Sequence, residues 1–151
     1  MGMRTTIYGC IEEMDFWNEP IMSEVKRHNK TIIDSLPLMD QWPPVSKEMF
    51  SLCENIPGSD HTPNLEYSGR IIHFGANLKS VEYEWKEWRT KFELLLSKLF
   101  WLEAHVHFKT EYGELQSFNW RIDLLKYRVV HNGEMPAAIK SVDWEFNGPA
   151  W

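Results

Sequence analysis

The residues with the clearest potential for chemistry are His105 and His107, which flank Val106 in an alternating stretch of the chain. Residues two apart on a β-strand point to the same side, so the two imidazoles could converge on one metal ion. Zinc would still require a third and usually a fourth protein ligand, such as His73 or Glu103, brought there by the fold. Histidines on the solvated face of an amphipathic strand explain the pair equally well. His105 and His107 are therefore weak metal candidates.

Nucleophilic catalysis has less support in the sequence. It needs a serine or cysteine beside a base, with an oxyanion hole nearby. The chain contains no GxSxG nucleophile elbow, no glycine-rich phosphate loop and no GxGxxG fingerprint. Cys53 and His61 could meet in space, but a buried thiol beside an unrelated loop histidine is the simpler explanation. We predict no catalytic residue and no cofactor, and we favour a non-enzymatic protein.

The charge balance indicates what kind of partner the chain would bind. The 151 residues include 22 acidic and 16 basic ones, which gives a net charge of −6. That balance disfavours a general nucleic-acid binder, which needs a surface that neutralises phosphates. An acidic domain would instead attract a basic partner. The alternative is that a charge of this size only keeps the domain in solution.

The termini and the cysteines indicate a compartment. The opening MGMRTTIYGC lacks the apolar run of a secretory signal, and no segment approaches the ~18 apolar residues that span a bilayer. Cys10 and Cys53 stand alone, without CxxC spacing, which predicts reduced thiols. We therefore predict a cytoplasmic protein that does not associate with membranes.

Two segments combine acidic residues with features of a binding surface. In EEMDFWNE, residues 12–19, an aromatic ring is surrounded by carboxylates, as in a hot spot for a basic partner. The alternative is a hydrophobic staple that precedes the first helix. Residues 54–68 form a polar stretch that is unusually long for a loop in a compact domain. The predicted partner-binding residues come from these two segments: Glu12, Glu13, Asp15, Trp17, Asp60 and Glu66.

Apolar periodicity and turn residues predict the elements that would position these side chains. Strands are predicted over residues 4–14, 47–53, 69–75, 105–112, 116–124 and 139–146, with a first helix between Pro20 and Pro37. The order is β-α-β-β-α-β-β-β, and its last strands are consecutive. This favours an α+β fold, a mostly antiparallel sheet of about five or six strands covered on one face by two helices. Residues 1–151 are predicted to form a single domain.

The second predicted helix has the most regular pattern in the chain. Large apolar residues recur at intervals of three or four, at Val81, Trp85, Trp88, Phe92, Leu95, Leu99 and Leu102. Residues with these spacings share one side of an α-helix, so residues 81–104 are predicted to form a buried core helix. Ser80 is its predicted N-cap, and Glu82 and Glu84 complement the positive end of the helix dipole.

The last strands carry a hairpin signal, from which we predict the register. A two-residue turn at Gly113 and Glu114 would put the two apolar rows on opposite faces, because a slip of one residue flips a whole strand. We therefore predict a three-residue connection over residues 113–115, or a bulge, that pairs Phe108 with Trp120.

Four segments carry a resemblance to a known class of proteins: TTIYGCIEEMDFWN, GRIIHFGANL, YEWKEWRTKFELLL and FWLEAHVHFKTEYG. In them the chain resembles the small, acidic, cytosolic immunity proteins that bacteria encode beside polymorphic or contact-dependent toxins. The resemblance implies stoichiometric neutralisation of a cognate toxin, often by an acidic surface that covers a basic nuclease active site. It implies no role for any individual residue.

These observations favour a non-enzymatic domain that docks a basic, toxin-like protein through acidic and aromatic loop surface. Two alternatives stay open at this point. One is a small metal-dependent enzyme that uses His105 and His107. The other is a structural or assembly subunit that associates with its own copies through the edge of the sheet.

Overall fold

The computed structural model describes residues 3–14, 19–52, 70–127 and 134–149. The strands are β1 (Arg4–Glu13), β2 (Phe50–Leu52), β3 (Ile71–Lys79), β4 (Trp101–Thr110), β5 (Leu115–Ile122) and β6 (Trp144–Asn147), and the α-helices are α1 (Glu19–Asp34) and α2 (Trp85–Leu96). Short 3₁₀ helices precede β2, α2 and β6, at Lys47–Met49, Val81–Glu84 and Ser141–Asp143. The order along the chain is β-α-β-β-α-β-β-β, which confirms the predicted α+β fold.

The six strands form one antiparallel sheet in the spatial order β2-β3-β1-β4-β5-β6. The first strand of the chain is therefore central, with β3 on one side and β4 on the other. The edge strands are short, since β2 has three residues and β6 has four. The two ends of β1 consequently lie at opposite ends of the sheet, and each end is flanked by a different set of loops.

One face of the sheet is buried beneath the helices. Ile7, Val106 and Phe108 are fully buried on this face, because alternate residues of a strand point to the same side. The indole of Trp85 on α2 stacks on the Phe118 ring of β5, with 3.9 Å between ring centroids. The opposite face carries mostly polar side chains. No helix among the described residues is long and apolar enough to span a membrane.

Helix α1 follows its predicted course, with Pro20 in the first turn, where its missing N–H costs no helical hydrogen bond. Its buried side is formed by Met22, Val25, Asn29 and Ile33. These residues recur every three or four positions, so they lie on one side of the helix. The buried asparagine interrupts an otherwise apolar stripe, and its polar partners belong to the network described below.

Helix α2 is shorter than predicted. A 3₁₀ turn occupies Val81–Glu84, and the α-helix then ends at Leu96. The Trp101 indole N–H donates to the Leu96 carbonyl at 2.9 Å, which satisfies one of the free carbonyls of the last turn. Leu99 lies in the connection and Leu102 in β4, so the prediction that both belong to the helix is wrong.

A β-bulge lies at the start of β4. Glu12 pairs with Glu103, but the next residue, Glu13, pairs with Trp101, so β4 contains one extra residue at this point. The bulge puts both Trp101 and Ala104 on the buried face, although they are three positions apart. The predicted helical spacing continued past α2 for another reason: residues 99–102 are all apolar, so both Leu99 and Leu102 fit the helical pattern.

Ser80 does not cap the helix that follows it. Its backbone is left-handed, with a φ of 45°, and its side chain makes no capping hydrogen bond. Instead the Ser80 N–H donates to the Met3 carbonyl at 2.7 Å, and the Ser80 hydroxyl accepts from the Met3 N–H at 3.1 Å. The predicted N-cap is wrong because Ser80 links the 3₁₀ turn to the start of β1.

In the β4–β5 hairpin the apolar side chains lie on the predicted face of the sheet, but the register of the two strands differs from the prediction. The Thr110 N–H donates to the Glu114 carbonyl at 2.8 Å, which leaves residues 111–113 in the turn. The predicted pairing of Phe108 with Trp120 is wrong, because the turn begins two positions earlier than predicted. The apolar rows of both strands still share the buried face, as predicted.

Candidate functional site: an acidic cleft beside two tyrosines

The sequence-predicted acidic residues do not form one surface. Glu12 lies at the C-terminal end of β1, half-buried on the polar face of the sheet and opposite Glu103. Glu13 is the next residue but is only 2% exposed. The other predicted contacts lie outside the described residues: Asp15, Trp17, Asp60 and Glu66. Of the predicted set, only Glu12 is described on an accessible face.

Glu13 belongs to a buried polar network. Arg70 Nε donates to its Oε1 at 2.5 Å, and Asn29 Nδ2 donates to its Oε2 at 2.7 Å. Asn29 also accepts from the Phe100 N–H at 2.9 Å and donates to the Phe100 carbonyl at 3.0 Å. The network ties β1 to α1 and to the residue before β4. Glu13 therefore cannot contact a partner, and we remove it from the predicted binding surface.

The alternation within β1 was the signal that could have identified this role. Ile7, Ile11 and Glu13 are four and two positions apart, so they point to the same side of the strand. Both isoleucines are fully buried. A carboxylate at the third position requires a buried partner, which is the Arg70 guanidinium.

The histidines His105 and His107 lie together on the polar face of the sheet. His107 Nδ1 is 2.8 Å from the Ser117 hydroxyl, and its ring lies 5.0 Å from the ring of Tyr8, measured between centroids. Partial burial and the neighbouring His105 lower the pKa of His107. His105 Nε2 is 3.6 Å from Glu103 Oε2. Both histidines already have polar neighbours on this face.

The surroundings of the two histidines contain further metal-ligating residue types. Cys10 is a free thiol flanked by His73 on β3 and His105 on β4. Burial, followed by nearby carboxylates, raises the pKa of Cys10. The carboxylate of Glu103 is bound by Arg121 Nε at 2.7 Å, which lowers the pKa of Glu103. In the described part of the chain, no three His, Cys, Asp or Glu side chains are placed to hold one metal ion.

A cleft of about 480 Å³ lies at the opposite end of β1, where the chain enters the sheet. The 3₁₀ turn Val81–Glu84 forms one wall and the β4–β5 turn forms the other. The lining residues, which we call the acidic cleft, are Met3, Glu82, Tyr83, Thr110, Glu111, Tyr112 and Glu114. Three of these side chains are carboxylates and two are phenols.

Hydrogen bonds from neutral groups orient all three cleft carboxylates. The Thr5 hydroxyl donates to Glu82 Oε2, and the Arg4 backbone N–H donates to Glu111 Oε2 at 3.1 Å. The Gln116 side-chain amide donates to Glu114 Oε1 at 3.0 Å. None of these bonds brings a positive charge. Among the described residues, no ion pair involves Glu82, Glu111 or Glu114. The negative charge of the cleft is therefore available to a partner.

The tyrosine rings of the cleft face solvent. Tyr83 is 76% exposed and Tyr112 is 85% exposed, and Met3 between the walls is 38% exposed. A lysine or arginine side chain can lie over such a ring while its charge pairs with a carboxylate. The acidic cleft thus combines the two groups that recognise basic side chains.

Comparisons of the chain with protein-family models, with curated proteins and with solved structures found no match. The resemblance to immunity proteins therefore stays a prediction from the sequence. The function has to be inferred from the chemistry of the described residues, and above all from the acidic cleft.

Sequence reasoning missed the acidic cleft. The available signal was a Glu-Tyr dipeptide that occurs three times in the sequence, and two of its copies, Glu82-Tyr83 and Glu111-Tyr112, line the cleft. In the sequence, Glu82 has an explanation on the second predicted helix, and Tyr112 has one at the end of a predicted strand. The two dipeptides are far apart along the chain, and they meet only because the 3₁₀ turn and the β4–β5 turn flank the same end of β1.

A second cavity, an apolar crevice of about 300 Å³, lies between α1, α2 and the segment that follows α1. Leu36, Leu94 and Leu95 are among its lining residues. Two of its charged groups pair with each other, since Lys91 Nζ donates to Asp40 Oδ2 at 3.0 Å. Although burial opposes the effect, a backbone N–H and the Lys91 ammonium lower the pKa of Asp40. The apolar crevice therefore offers shape and apolar surface more than charge.

Proposed function

We propose that this chain is a non-enzymatic binding domain that docks a basic protein partner in the acidic cleft. The observation that carries the proposal is the juxtaposition of Glu82, Glu111 and Glu114 with the exposed rings of Tyr83 and Tyr112. Carboxylates without a cationic partner attract basic side chains, and exposed tyrosines give those side chains an apolar surface to pack on.

The two kinds of group would have different effects on binding. The net charge of −6 and the cleft carboxylates would speed the encounter with a basic partner, so salt would slow association. The tyrosine rings would mainly slow dissociation, because they bury area at a small entropic cost. Association and dissociation rates therefore report on separate residues of the cleft.

Within this class we propose an immunity protein that neutralises a toxin by stoichiometric binding. The proposal is supported by the resemblance of four sequence segments to immunity proteins and by the acidity of the chain. A toxin that acts on nucleic acid presents a basic active site, and an acidic cleft with two tyrosines has the complementary chemistry.

A labelled octa-arginine peptide tests the recognition of basic groups. We expect the wild type to bind it at low salt. The triple variant Glu82→Gln, Glu111→Gln and Glu114→Gln should bind about tenfold more weakly or worse. Tyr83→Ala combined with Tyr112→Ala should raise the dissociation rate and leave the net charge unchanged. Fluorescence anisotropy and stopped-flow measurements give both quantities.

A matched control separates the cleft from the net charge. The variant Glu24→Gln, Glu48→Gln and Glu145→Gln removes three carboxylates that lie exposed on α1, on the first 3₁₀ helix and on β6. Its net charge equals that of the cleft variant. If the control loses as much affinity as the cleft variant, only overall charge matters and the proposed cleft is contradicted.

The immunity function is tested with the product of the neighbouring reading frame. We expect that product to stop bacterial growth when expressed alone and to be neutralised by the wild-type chain. The cleft variant should fail to protect, and the charge-matched control should protect. A harmless neighbour, or a toxic one that the wild type does not neutralise, would contradict immunity but would leave the peptide result standing.

A further inference from the structure

Strand β3 is paired along only part of one side. Its nine residues, Ile71–Lys79, pair with β1, whereas β2 reaches only Ile72 to Phe74. On that side, residues 75–79 have no partner strand within the part of the chain that the structure describes. Backbone N–H and C=O groups therefore form a free edge of five residues, which is a template for another strand.

Partly buried apolar side chains lie beside this edge. Where β2 covers β3, Ile72 is fully buried and Phe74 is 5% exposed. Beyond the end of β2, Ala76 and Leu78 pack against the same core but are only partly buried. All four side chains lie on the helix-covered face of the sheet. An added strand would complete the burial that β2 provides for the first two residues.

We propose that this edge pairs with the same edge of a second copy of the chain. An antiparallel pairing centred on Asn77 places that residue opposite its own copy. Ala76 then lies opposite Leu78 of the second copy on the core face, and Gly75 lies opposite Lys79 of the second copy on the polar face. Apolar residues meet apolar residues, and no like charges are directly opposed.

The length of the free edge fits this pairing. Opposite residues of an antiparallel pair point to the same face, so a two-fold axis through Asn77 keeps both helix layers on one side of a continuous sheet. The strand of the second copy ends at Lys79, opposite Gly75, and Phe50 of β2 begins at the next position, opposite Phe74. Neither copy has to displace β2. The pairing would form about four to six hydrogen bonds between the strands.

The corresponding edge of β5 is a poorer candidate. Residues 115–118 also extend past the end of β6, which pairs only with Asn119 to Ile122. However, the Gly148 backbone lies against the Phe118 ring there, so close that an added Cβ would be 2.4 Å from Cδ1. That edge is partly covered by the residue that follows β6. At the β3 edge, the 3₁₀ helix Lys47–Met49 contacts the strand, but no described strand pairs with residues 75–79 on this side.

Substitutions at the two-fold position test the register. Asn77→Lys and Asn77→Glu each place like charges opposite one another, so each variant alone should associate about tenfold more weakly or worse than the wild type. An equimolar mixture should restore association as mixed dimers, because lysine then faces glutamate. Sedimentation equilibrium from about 10 µM to about 1 mM and native mass spectrometry measure the populations.

A neutral substitution controls for the loss of a local contact. The Thr6 hydroxyl donates to Asn77 Oδ1 at 2.6 Å, and both charged variants change this bond. Asn77→Thr changes it too, but the variant should associate like the wild type. A wild type whose mass stays at 18.0 kDa throughout, or a mixture that forms no excess of mixed dimer, would overturn the proposal. Octa-arginine binding should be equal in Asn77→Thr and the wild type, so this test is independent of the acidic cleft.

Discussion

The two ends of β1 use glutamate in opposite ways. At the C-terminal end, Glu13 is buried and joined to Arg70 and Asn29. At the N-terminal end, the hydrogen bonds that described residues donate to Glu82 and Glu111 of the acidic cleft come from neutral groups. The residue type is the same, but the surroundings make one carboxylate part of the core and leave the others to meet a partner.

The difference follows from the cost of removing a charge from water. A buried carboxylate is tolerated only where a counter-charge and hydrogen bonds replace its hydration. Exposed carboxylates keep their hydration and contribute little to folding. Substitutions should therefore damage folding at the Glu13 end of β1 and damage binding at the cleft end.

The largest effect is expected from Glu13→Gln. The change leaves the Arg70 guanidinium, whose side chain is 8% exposed, without the carboxylate that faces it. We expect a loss of about 3–5 kcal/mol in the free energy of unfolding, measured by urea denaturation. Glu12→Gln, one residue away on the polar face, should change stability by less than about 0.5 kcal/mol. If Glu13→Gln and Glu12→Gln were equally stable, the carboxylate of Glu13 would not have the structural role that distinguishes it from Glu12.

A smaller loss is expected from Asn29→Ala. The Asn29 amide bonds both the N–H and the carbonyl of Phe100 as well as Glu13. Its removal leaves buried groups without a partner, at a cost of about 1–3 kcal/mol. Ser23→Ala, at an exposed position of the same helix, is the control. If both variants melt at the same temperature by circular dichroism, the network does not hold α1 to the sheet.

Neutralising the acidic cleft should hardly affect folding. The triple variant Glu82→Gln, Glu111→Gln and Glu114→Gln should unfold within about 1 kcal/mol of the wild type, because glutamine can still accept the hydrogen bonds of Thr5 and Arg4. Guanidinium denaturation provides the measurement. A much larger loss would mean that these carboxylates are structural, and the contrast with Glu13 would disappear.

The smallest effect concerns His107 on the polar face between the two ends. Its pKa is lowered by burial and by His105, so the folded state binds its proton less readily than the unfolded chain. The stabilising contribution is present above the ordinary histidine value of 6.5 and is lost as the pH falls through the lowered pKa. NMR titration of the imidazole should give a midpoint below 6.5, and His107→Gln should flatten the stability profile there. A midpoint at or above 6.5 would contradict this description.

The fold was predictable from the sequence because apolar residues repeat with one spacing in the helices and with another in the strands. The alternation around Val106 and the helical stripe through Trp88 are local signals, and their order along the chain gives the layers. The extent of α2 was not predictable in the same way, because the apolar residues 99–102 continue the helical spacing beyond the end of the helix. The start of β4 is determined by its pairing with β1, which periodicity along one segment does not report.

The site was less predictable than the fold. Glu13 could have been placed in the core from its spacing to Ile7 and Ile11, although its partner Arg70 is distant in sequence. The acidic cleft depends on the meeting of two turns at the start of β1, which follows from strand order. Neither Tyr83 nor Tyr112 has a local pattern that distinguishes a cleft from an exposed loop.

The most direct test of the acidic cleft is an NMR titration of isotope-labelled protein with octa-arginine at low salt. The largest shifts should fall on the backbone amides of Tyr83, Glu111 and Tyr112, and the Asn29 side-chain amide in the buried network should not move. Shifts concentrated instead around Leu94 in the apolar crevice, or spread evenly over the surface, would contradict the assignment of recognition to the acidic cleft.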